Sequence, residues 1–424
     1  MKPKCYNLLF FYIFFNGDNM KKIIIHLLIV AILLIPNIKV LAIEEGEKDI
    51  EEKEKSTEEN NNDNKINLAE NAKSAIIIEA STGKVIFEKN SNEKLAMASM
   101  TKMMTLLLIM ENIENGNLKW DEMITTSENA SSMGGSQIFL QTGEQMSVED
   151  LVKGICIASG NDASVALAER IGGTEEEFVK MMNNRAKDLG LKNTNFVNAY
   201  GFDDDNHYST AYDMAMIAKE LVKHKKILEY SGTYEDYLRK NTPNSLWLVN
   251  TNKLVRYYSG VDGLKTGFTD KAMYCLTSTA YKNNMRLITV VMGEPSSTIR
   301  SSETAAMLDY GFNTYQMDTI LSKDKVLKKV KISMGEKEYG EAVCKDDINI
   351  LNTKTGDKRK TSYKININNV SAPVKIGDKI GEVEVSEGNK TIMIMDITIK
   401  ENINKANILK VFLRDLKDTV LGNI

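Results

Sequence analysis

The sequence predicts an α/β sandwich whose sheet takes strands from both ends of one domain, followed by a small all-β domain. Three observations carry this. A hairpin pattern at residues 75–89 precedes a long run of helical patterns, strand patterns return between residues 261 and 294, and beyond residue 315 the texture changes to short alternating runs. The 424 residues admit two or three domains at ~100–200 residues each. A hydrophobic fraction of 42% supplies a full-sized core and excludes wholesale disorder.

The N-terminus carries apolar bursts at 8–15 and 23–35, with Lys21 and Lys22 before the second and Val40-Leu41-Ala42 after it. A basic flank, a short apolar run and small residues at its end spell a signal peptide over residues 1–42, and a spanning helix needs ~20 apolar residues. Met20 is the more natural start, which makes residues 1–19 an upstream extension; an uncleaved membrane anchor is the alternative. The expected location is extracytoplasmic, at the cell wall or the outer face of the membrane. Residues 43–70 are Glu-, Lys- and Asn-rich and read as a solvated, disordered acidic linker.

Order is expected from Ala75. The runs AIIIE and KVIFEK flank Ser81-Thr82-Gly83 as a hairpin. MASMTKMMTLLLIMENI is apolar nearly all round, the mark of a helix buried in a large domain. Ser147 with Asp150 opens a helix through Ala158, and DASVALAERI forms the next, stopped by Gly172-Gly173. Thr174 with Glu177 starts a third helix ended by Gly190, and 211–224 is a fourth. AMYCLTSTA and RLITVVMG read as strands joined at Asn283-Asn284, with a closing helix over 301–312. We therefore expect one domain over 71–314, a β-domain over 315–405 and an amphipathic helix over 406–424. In that tail Leu409, Phe412, Leu413, Leu416 and Val420 recur at helical spacing beside Lys410, Arg414 and Lys417. It fits peripheral contact with a membrane surface and equally fits docking on its own β-domain.

The charge balance, net −4, argues against nucleic acid as a partner. Of three His, His26 lies in the apolar N-terminal run, which leaves His207 and His224. Serine chemistry in this chain therefore needs a base other than His. Asp203-Asp204-Asp205 with His207 looks like a metal cluster but reads as a polar loop. Cys156 and Cys275 sit in apolar runs and read as small buried hydrophobes; no zinc spacing exists, and neither a metal nor a cofactor is implied. Trp120 and Trp247 read as packing anchors.

Three short motifs carry chemistry. In Ser99-Met100-Thr101-Lys102 nearly one helical turn separates hydroxyl from amine, placing both on one face. A buried lysine sheds its charge and becomes a base for the serine. Ser81–Lys84, Ser91–Lys94 and Ser322–Lys325 share the spacing, but only Ser99 has a rigid apolar helix behind it. Ser159-Gly160-Asn161 lies between two apolar helices and offers a hydroxyl and a carboxamide, although such residues also make ordinary turns. Lys265-Thr266-Gly267 heads a strand, where a cation and a hydroxyl can bind a carboxylate while Gly admits a ligand close to the backbone.

Together these form an S-x-x-K, S-x-N, K-T-G series. With ASMTKMMT, SGNDASVALAE, MNNRAKDLGLKNTNFVNAYG, HYSTAYDMA and VDGLKTGFTDKAMYCL, the chain from Ala75 to Tyr315 resembles the low-molecular-mass penicillin-binding proteins that are D-alanyl-D-alanine carboxypeptidases. The resemblance implies a penicillin-binding/serine β-lactamase-like sandwich with an antiparallel sheet flanked by helices. It implies Ser99 as acylated nucleophile, Lys102 as base, and Ser159 and Asn161 assisting proton transfer and holding the substrate. Lys265 and Thr266, with Gly267 and Arg300, would engage the terminal carboxylate, and the N–H groups of Ser99 and Phe268 would form the oxyanion hole. The implied substrate is the D-Ala-D-Ala end of a peptidoglycan stem peptide, and β-lactams are the implied inhibitors. Two departures stand out: Phe268 occupies a position where some relatives carry His, and a Gly expected near Ala272-Met273 is absent. A β-lactamase and a non-catalytic wall-binding protein are the alternatives. SGN in place of SDN, and an intact set of reacting residues, weigh against them.

Overall fold

The computed structural model describes residues 67–356 and 358–420. The signal peptide and most of the linker expected from the sequence lie outside the described residues.

The central sheet is antiparallel throughout and is built as the sequence pattern requires. Strand β1 (Ser74–Glu79) pairs with β2 (Val85–Lys89) across the Gly83 turn. Its other edge takes β9 (Met285–Glu294), reached through β7 (Val261–Thr269) and β8 (Met273–Lys282), giving the order β2-β1-β9-β8-β7. Strands from both ends of the domain thus share one sheet. Asn283 and Asn284 both have positive φ, 51° and 60°, the turn that matches the twist of a tight hairpin.

Successive β1 side chains point to opposite faces, and both faces are covered. Ile76 and Ile78 join a large core with the helices, whereas Ala75 and Ile77 pack against Met307, Leu308 and Phe312. The large core wraps α1 (Lys102–Glu114), α2 (Val148–Lys153), α3 (Asn161–Gly172), α4 (Glu175–Asp188) and α5 (Ala211–Leu221). Met100, Met103, Met104 and Met110 are core residues, as their helical spacing predicts.

Caps set the helix starts. The hydroxyls of Ser147 and Thr174 accept the Asp150 and Glu177 N–H groups at 3.1 and 3.2 Å, and each such cap contributes about 1 kcal/mol. The closing helix α7 (Ser297–Thr314) begins earlier than its apolar pattern suggested, because Ser296 caps it through the Ile299 N–H at 3.2 Å. A short helix, α6 (Lys225–Ser231), and the hairpin of β5 (Glu235–Leu238) with β6 (Leu246–Val249) are additional to the expected elements, while β3 (Met123–Thr125) and β4 (Gln145–Ser147) pair around the Gly-rich stretch between them. The β5–β6 hairpin corrects one expectation: Trp247 is 56% exposed, so it anchors no core. Trp120 does pack, edge-on to Tyr230 with centroids 5.8 Å apart.

Between Tyr315 and Ile399 the chain forms a six-stranded and a two-stranded sheet around Ile332, Val383, Val385, Ile397 and Ile399 among the described residues. Leu351 joins the core beneath α7, and Lys354 Nζ donates to the Phe312 carbonyl at 2.6 Å, so this region is tied to the sandwich. The tail is helix α8 (Ile408–Val420). Its apolar residues Ile408, Leu409, Phe412, Leu413 and Leu416 are exposed, whereas Lys410 and Arg414 donate to the carbonyls of Glu336 and Gly335 at 2.9 and 3.1 Å. The helix therefore touches the β-domain through its basic side, not its apolar one. Among the described residues no helix is long and apolar enough to cross a membrane.

Candidate active site

Ser99 lies in the turn Ala98–Thr101, a 3-10 segment that feeds directly into α1. Ala98, immediately before it, has φ 46°; left-handed backbone costs a residue with a Cβ about 1–2 kcal/mol. Such strain persists only where the surroundings enforce it. Here Gly201 enforces it: with φ 103°, it lies so close that a Cβ would stand 2.1 Å from the Ala98 carbonyl oxygen.

Lys102, at the first turn of α1, is fully buried, and its Nζ meets three oxygens: Ser99 Oγ at 3.0 Å, Asn161 Oδ1 at 2.6 Å and the Tyr200 carbonyl at 2.7 Å. Burial holds the amine well below the ordinary lysine value, and the nearby Lys265 charge pushes the same way, against Asp162. A neutral amine has two N–H donors and one lone pair. Asn161 Oδ1 and the Tyr200 carbonyl only accept, so they take both donors. The lone pair is left facing the Ser99 hydroxyl.

Asn161 cannot turn its amide round, because Nδ2 donates to the Gly134 carbonyl at 2.7 Å. It opens α3 just after a π-helical turn, Gly154–Ala158, an irregularity frequent at functional sites. The strand-like segment opposite is pinned by Asp162, whose carboxylate accepts the N–H groups of Ile138 and Leu140 at 3.1 and 3.0 Å. Ser159 caps the π-turn with φ 65°, and its buried hydroxyl has no hydrogen-bond partner among the described residues. An orphaned buried hydroxyl is costly, and this one is free to take or pass a proton.

The third side is β7, the outer strand of the sheet. Lys265 is buried, its Nζ donating to the Thr266 carbonyl at 2.9 Å, and burial lowers its pKa to about 7; Cys156 opposes that shift and Arg300 adds to it. Thr266 Oγ1 bonds to Thr251 Oγ1 at 2.8 Å. A Cβ on Gly267 would sit 2.8 Å from the Met97 carbonyl oxygen and 3.2 Å from the Ser99 nitrogen. Only glycine lets β7 pass this close to the nucleophile turn. Phe268 is 50% exposed and lies on the Tyr274 ring, centroids 4.4 Å apart. Arg300, in the first turn of α7, is buried with Nε unpartnered among the described residues, and burial lowers its pKa.

The remaining motif look-alikes fall elsewhere. Ser81 Oγ bonds to its neighbour Glu79; Ser127, spaced from Asn129 as Ser159 is from Asn161, caps a single helical turn; and Lys354, which opens a second Lys-Thr-Gly run, serves the interdomain contact. The Asp203–His207 loop holds no metal cluster: Asp203 bonds to Thr269 and Asp205 to Lys271, and none is found among the described residues. Cys156 and Cys275 are free and buried. At the missing glycine, Met273 itself adopts φ 56° and closes the β7–β8 turn, with Thr269 paired to Met273. The strand edge thus forms without it. Sequence reasoning missed Tyr200, Gly201, Asp162 and Thr251. Tyr200 acts through its carbonyl, which no side-chain pattern reveals.

Residues 57–296 match the family model described as D-alanyl-D-alanine carboxypeptidase, and residues 315–405 match that of the penicillin-binding protein 5 C-terminal domain. The D-alanyl-D-alanine carboxypeptidase DacF of Bacillus subtilis is 48% identical over 352 residues, covering 83% of this chain and 90% of the relative. The crystal structure of penicillin-binding protein 5 from Haemophilus influenzae superposes with a TM-score of 0.62 at 31% identity, covering 79% of this chain and 98% of that one. Penicillin-binding protein D2 of Listeria monocytogenes, solved in its cefotaxime-bound form, gives 0.52 at 32% identity, covering 57% of this chain and 97% of that one. With a fold, a second domain and a buried lysine–serine pair all in agreement, the chain belongs to the D-alanyl-D-alanine carboxypeptidase family of serine peptidases.

Proposed function

We propose that this serine D-Ala-D-Ala carboxypeptidase uses Ser99 as its nucleophile and Lys102 as the base that activates it. The observation that carries the assignment is the 3.0 Å approach of Lys102 Nζ to Ser99 Oγ, with the other two oxygens around Nζ both acceptors. Ser99 Oγ attacks the carbonyl carbon between the two D-alanines while its proton passes to Nζ. The developing oxyanion is held by the N–H groups of Ser99 and Phe268, and each such donor contributes ~10²–10³ in rate. The proton moves on through the Ser159 hydroxyl to the leaving amine, and free D-alanine departs. Water then attacks the acyl-enzyme ester, giving up a proton to Lys102; Lys102 returns it to Ser99 Oγ as the ester bond breaks, and the shortened stem peptide is released.

Lys265, with Thr266 and the Arg300 charge behind it, attracts the terminal carboxylate, which makes the enzyme a carboxypeptidase and not an endopeptidase. The substrate peptide lies extended beside β7, where main-chain bonds to a sheet edge are available. A β-lactam presents a strained amide and a carboxylate in the same relation, acylates Ser99 and leaves slowly. The protein is exported, by the N-terminal signal, to the peptidoglycan it trims and so contributes to wall remodelling and cell shape. Helix α8, with its apolar face outward and its basic side turned inward, rests on the outer face of the membrane.

The test is D-alanine release from a diacyl-Lys-D-Ala-D-Ala peptide, together with stoichiometric labelling by a fluorescent penicillin. Both vanish in Ser99→Ala. Persistent labelling of that variant overturns the assignment.

A further inference from the structure

We propose that His207 is a positioning residue that couples the turn carrying Ser99 to the loop that faces Lys102. The inference rests on the Ser99–Lys102 reading above and concerns a side chain outside the three motifs. His207 is 2% exposed and packs edge-on against Phe196, with centroids 6.0 Å apart. Its Nδ1 accepts the Val197 N–H at 3.0 Å, which places the ring proton on Nε2. Nε2 therefore donates to Thr101 Oγ1 at 2.7 Å, and Thr101 Oγ1 spends its own proton on the Ala98 carbonyl at 2.8 Å. Every donor and acceptor along this chain has one possible direction. It ends on the left-handed residue that sets the backbone entering Ser99.

The other end of the ring holds a loop that side chains grip along its length. Asn183 Oδ1 accepts the Phe196 N–H at 2.9 Å, and Glu175 Oε1 accepts the Ala199 N–H at 3.1 Å. Thr105 Oγ1 donates to the Ala199 carbonyl at 2.6 Å, and Asn198 Oδ1 accepts the Gly201 N–H at 2.6 Å. This loop delivers the Tyr200 carbonyl to Lys102 Nζ and lays Gly201 against Ala98. A single imidazole thus spans nucleophile turn and base-facing loop. A rigid ring does this because its acceptor and donor diverge in one plane at a fixed angle, and the ring must stay neutral. Burial keeps it neutral, lowering its pKa to about 4, although the Asp204 charge favours the imidazolium. The charges that face Lys102 itself are Lys265 and Asp162.

His207 touches no reacting atom, so it acts only through Ala98 and Tyr200, and its two ends separate by substitution. Thr101→Val removes the relay to the nucleophile turn and leaves the Val197 bond intact. His207→Ala removes both. The measurement is the pH dependence of the acylation rate constant, at saturating fluorescent penicillin, for the full chain. Thr101→Val should acylate at least tenfold more slowly with the acid limb unmoved, and Thr101→Ser should recover most of the loss. His207→Ala should be slowed further. Its acid limb should move up by about one pH unit or more, since burial is the chief cause of the lowered Lys102 pKa and a withdrawn Tyr200 loop admits water. His207→Asn, which keeps an acceptor where Nδ1 stood, should show the slower rate without the moved limb. Thr101→Val within threefold of wild type overturns the coupling, as does an unmoved limb in folded His207→Ala. If His207→Ala fails to fold, Thr101→Val and His207→Asn decide. Labelling of Ser99→Ala would sink the underlying site reading, and it is scored separately in the same assay.

Discussion

Asn161 and Lys102 hold each other in one geometry. The amide oxygen accepts an N–H of the amine at 2.6 Å, and the amide nitrogen, tied to the Gly134 carbonyl, prevents the group from flipping. A carboxylate at this place would invert the local electrostatics. Asn161→Asp should stabilise the ammonium form of Lys102 and raise its pKa. We expect acylation at neutral pH to fall roughly a hundredfold, in line with lost general-base catalysis, and to recover as pH rises. A rate–pH profile for penicillin labelling checks this, and a loss that does not recover at high pH would refute it.

The two buried lysines should set opposite limbs of the wild-type profile. Lys102 must be neutral to take the Ser99 proton, so kcat/KM rises as pH climbs through its lowered pKa. Lys265 must be charged to attract a carboxylate, and its pKa is about 7, so kcat/KM falls as pH rises beyond that value. In kcat the alkaline limb should stand higher, because the bound carboxylate favours the ammonium. Lys265→Arg, whose guanidinium stays charged, should lose the alkaline limb whatever its absolute rate. D-alanine release across pH 5–10 separates these cases.

Lys265 also bears on stability. Its folded pKa of about 7 lies below the ordinary 10.5, so between those values the unfolded chain binds the extra proton. Stability therefore rises with pH through that window, and at neutral pH and below the fold carries a penalty for burying the amine. Replacing Lys265 with Met should remove a penalty on the order of a few kcal/mol. Calorimetry at pH 7 should show a raised Tm in a protein that no longer releases D-alanine. A lowered Tm would contradict the argument.

Gly267→Ala tests the spacing between β7 and the nucleophile turn. The new Cβ would meet the Met97 carbonyl oxygen at 2.8 Å, the Ala98 Cβ at 3.1 Å and the Ser99 nitrogen at 3.2 Å, none of them the end of a flexible side chain, so strand or turn must shift. An ångström of misplacement costs about 10²-fold in an oriented reaction. We expect that loss in acylation with a near-native melting curve, and labelling within threefold of wild type would refute it.

The exposed apolar face of α8 gives a prediction separable from catalysis. Phe412→Asp with Leu413→Asp should abolish co-sedimentation with vesicles of phosphatidylglycerol and phosphatidylethanolamine and leave D-alanine release in solution unchanged. Equal sedimentation of wild type and variant would refute membrane contact through this face.

The parts of this molecule legible in the sequence are those where side-chain type and spacing carry the information. The β1–β2 hairpin, the buried α1, the capped starts at Ser147 and Thr174, and the Asn283-Asn284 turn all follow from local chemistry. So does the Ser99–Lys102 pair, since one helical turn fixes it. The Tyr200 carbonyl, Gly201 under Ala98 and Thr251 behind Thr266 were hidden, because they act by backbone or by approach across long stretches of chain. Trp247 misled for a related reason: residue type predicts burial only on average, and its hairpin puts Leu238 and Leu248 inward and leaves the indole out. Met273 shows that a residue with a Cβ can occupy a turn where glycine is expected.

The outer position of β7 has a consequence for solubility. An uncovered strand end to a sheet is where folded proteins stick to copies of themselves, and most blunt it with charges, proline or a covering helix. A peptide bound along β7, as proposed above, would need that edge open, and the strand could not then be blunted. The Ser99 turn packs against the strand at Gly267, where a Cβ would stand 2.8 Å from the Met97 carbonyl oxygen. The turn that carries the nucleophile thus also covers the face of β7 at this point, so no second sheet can stack there.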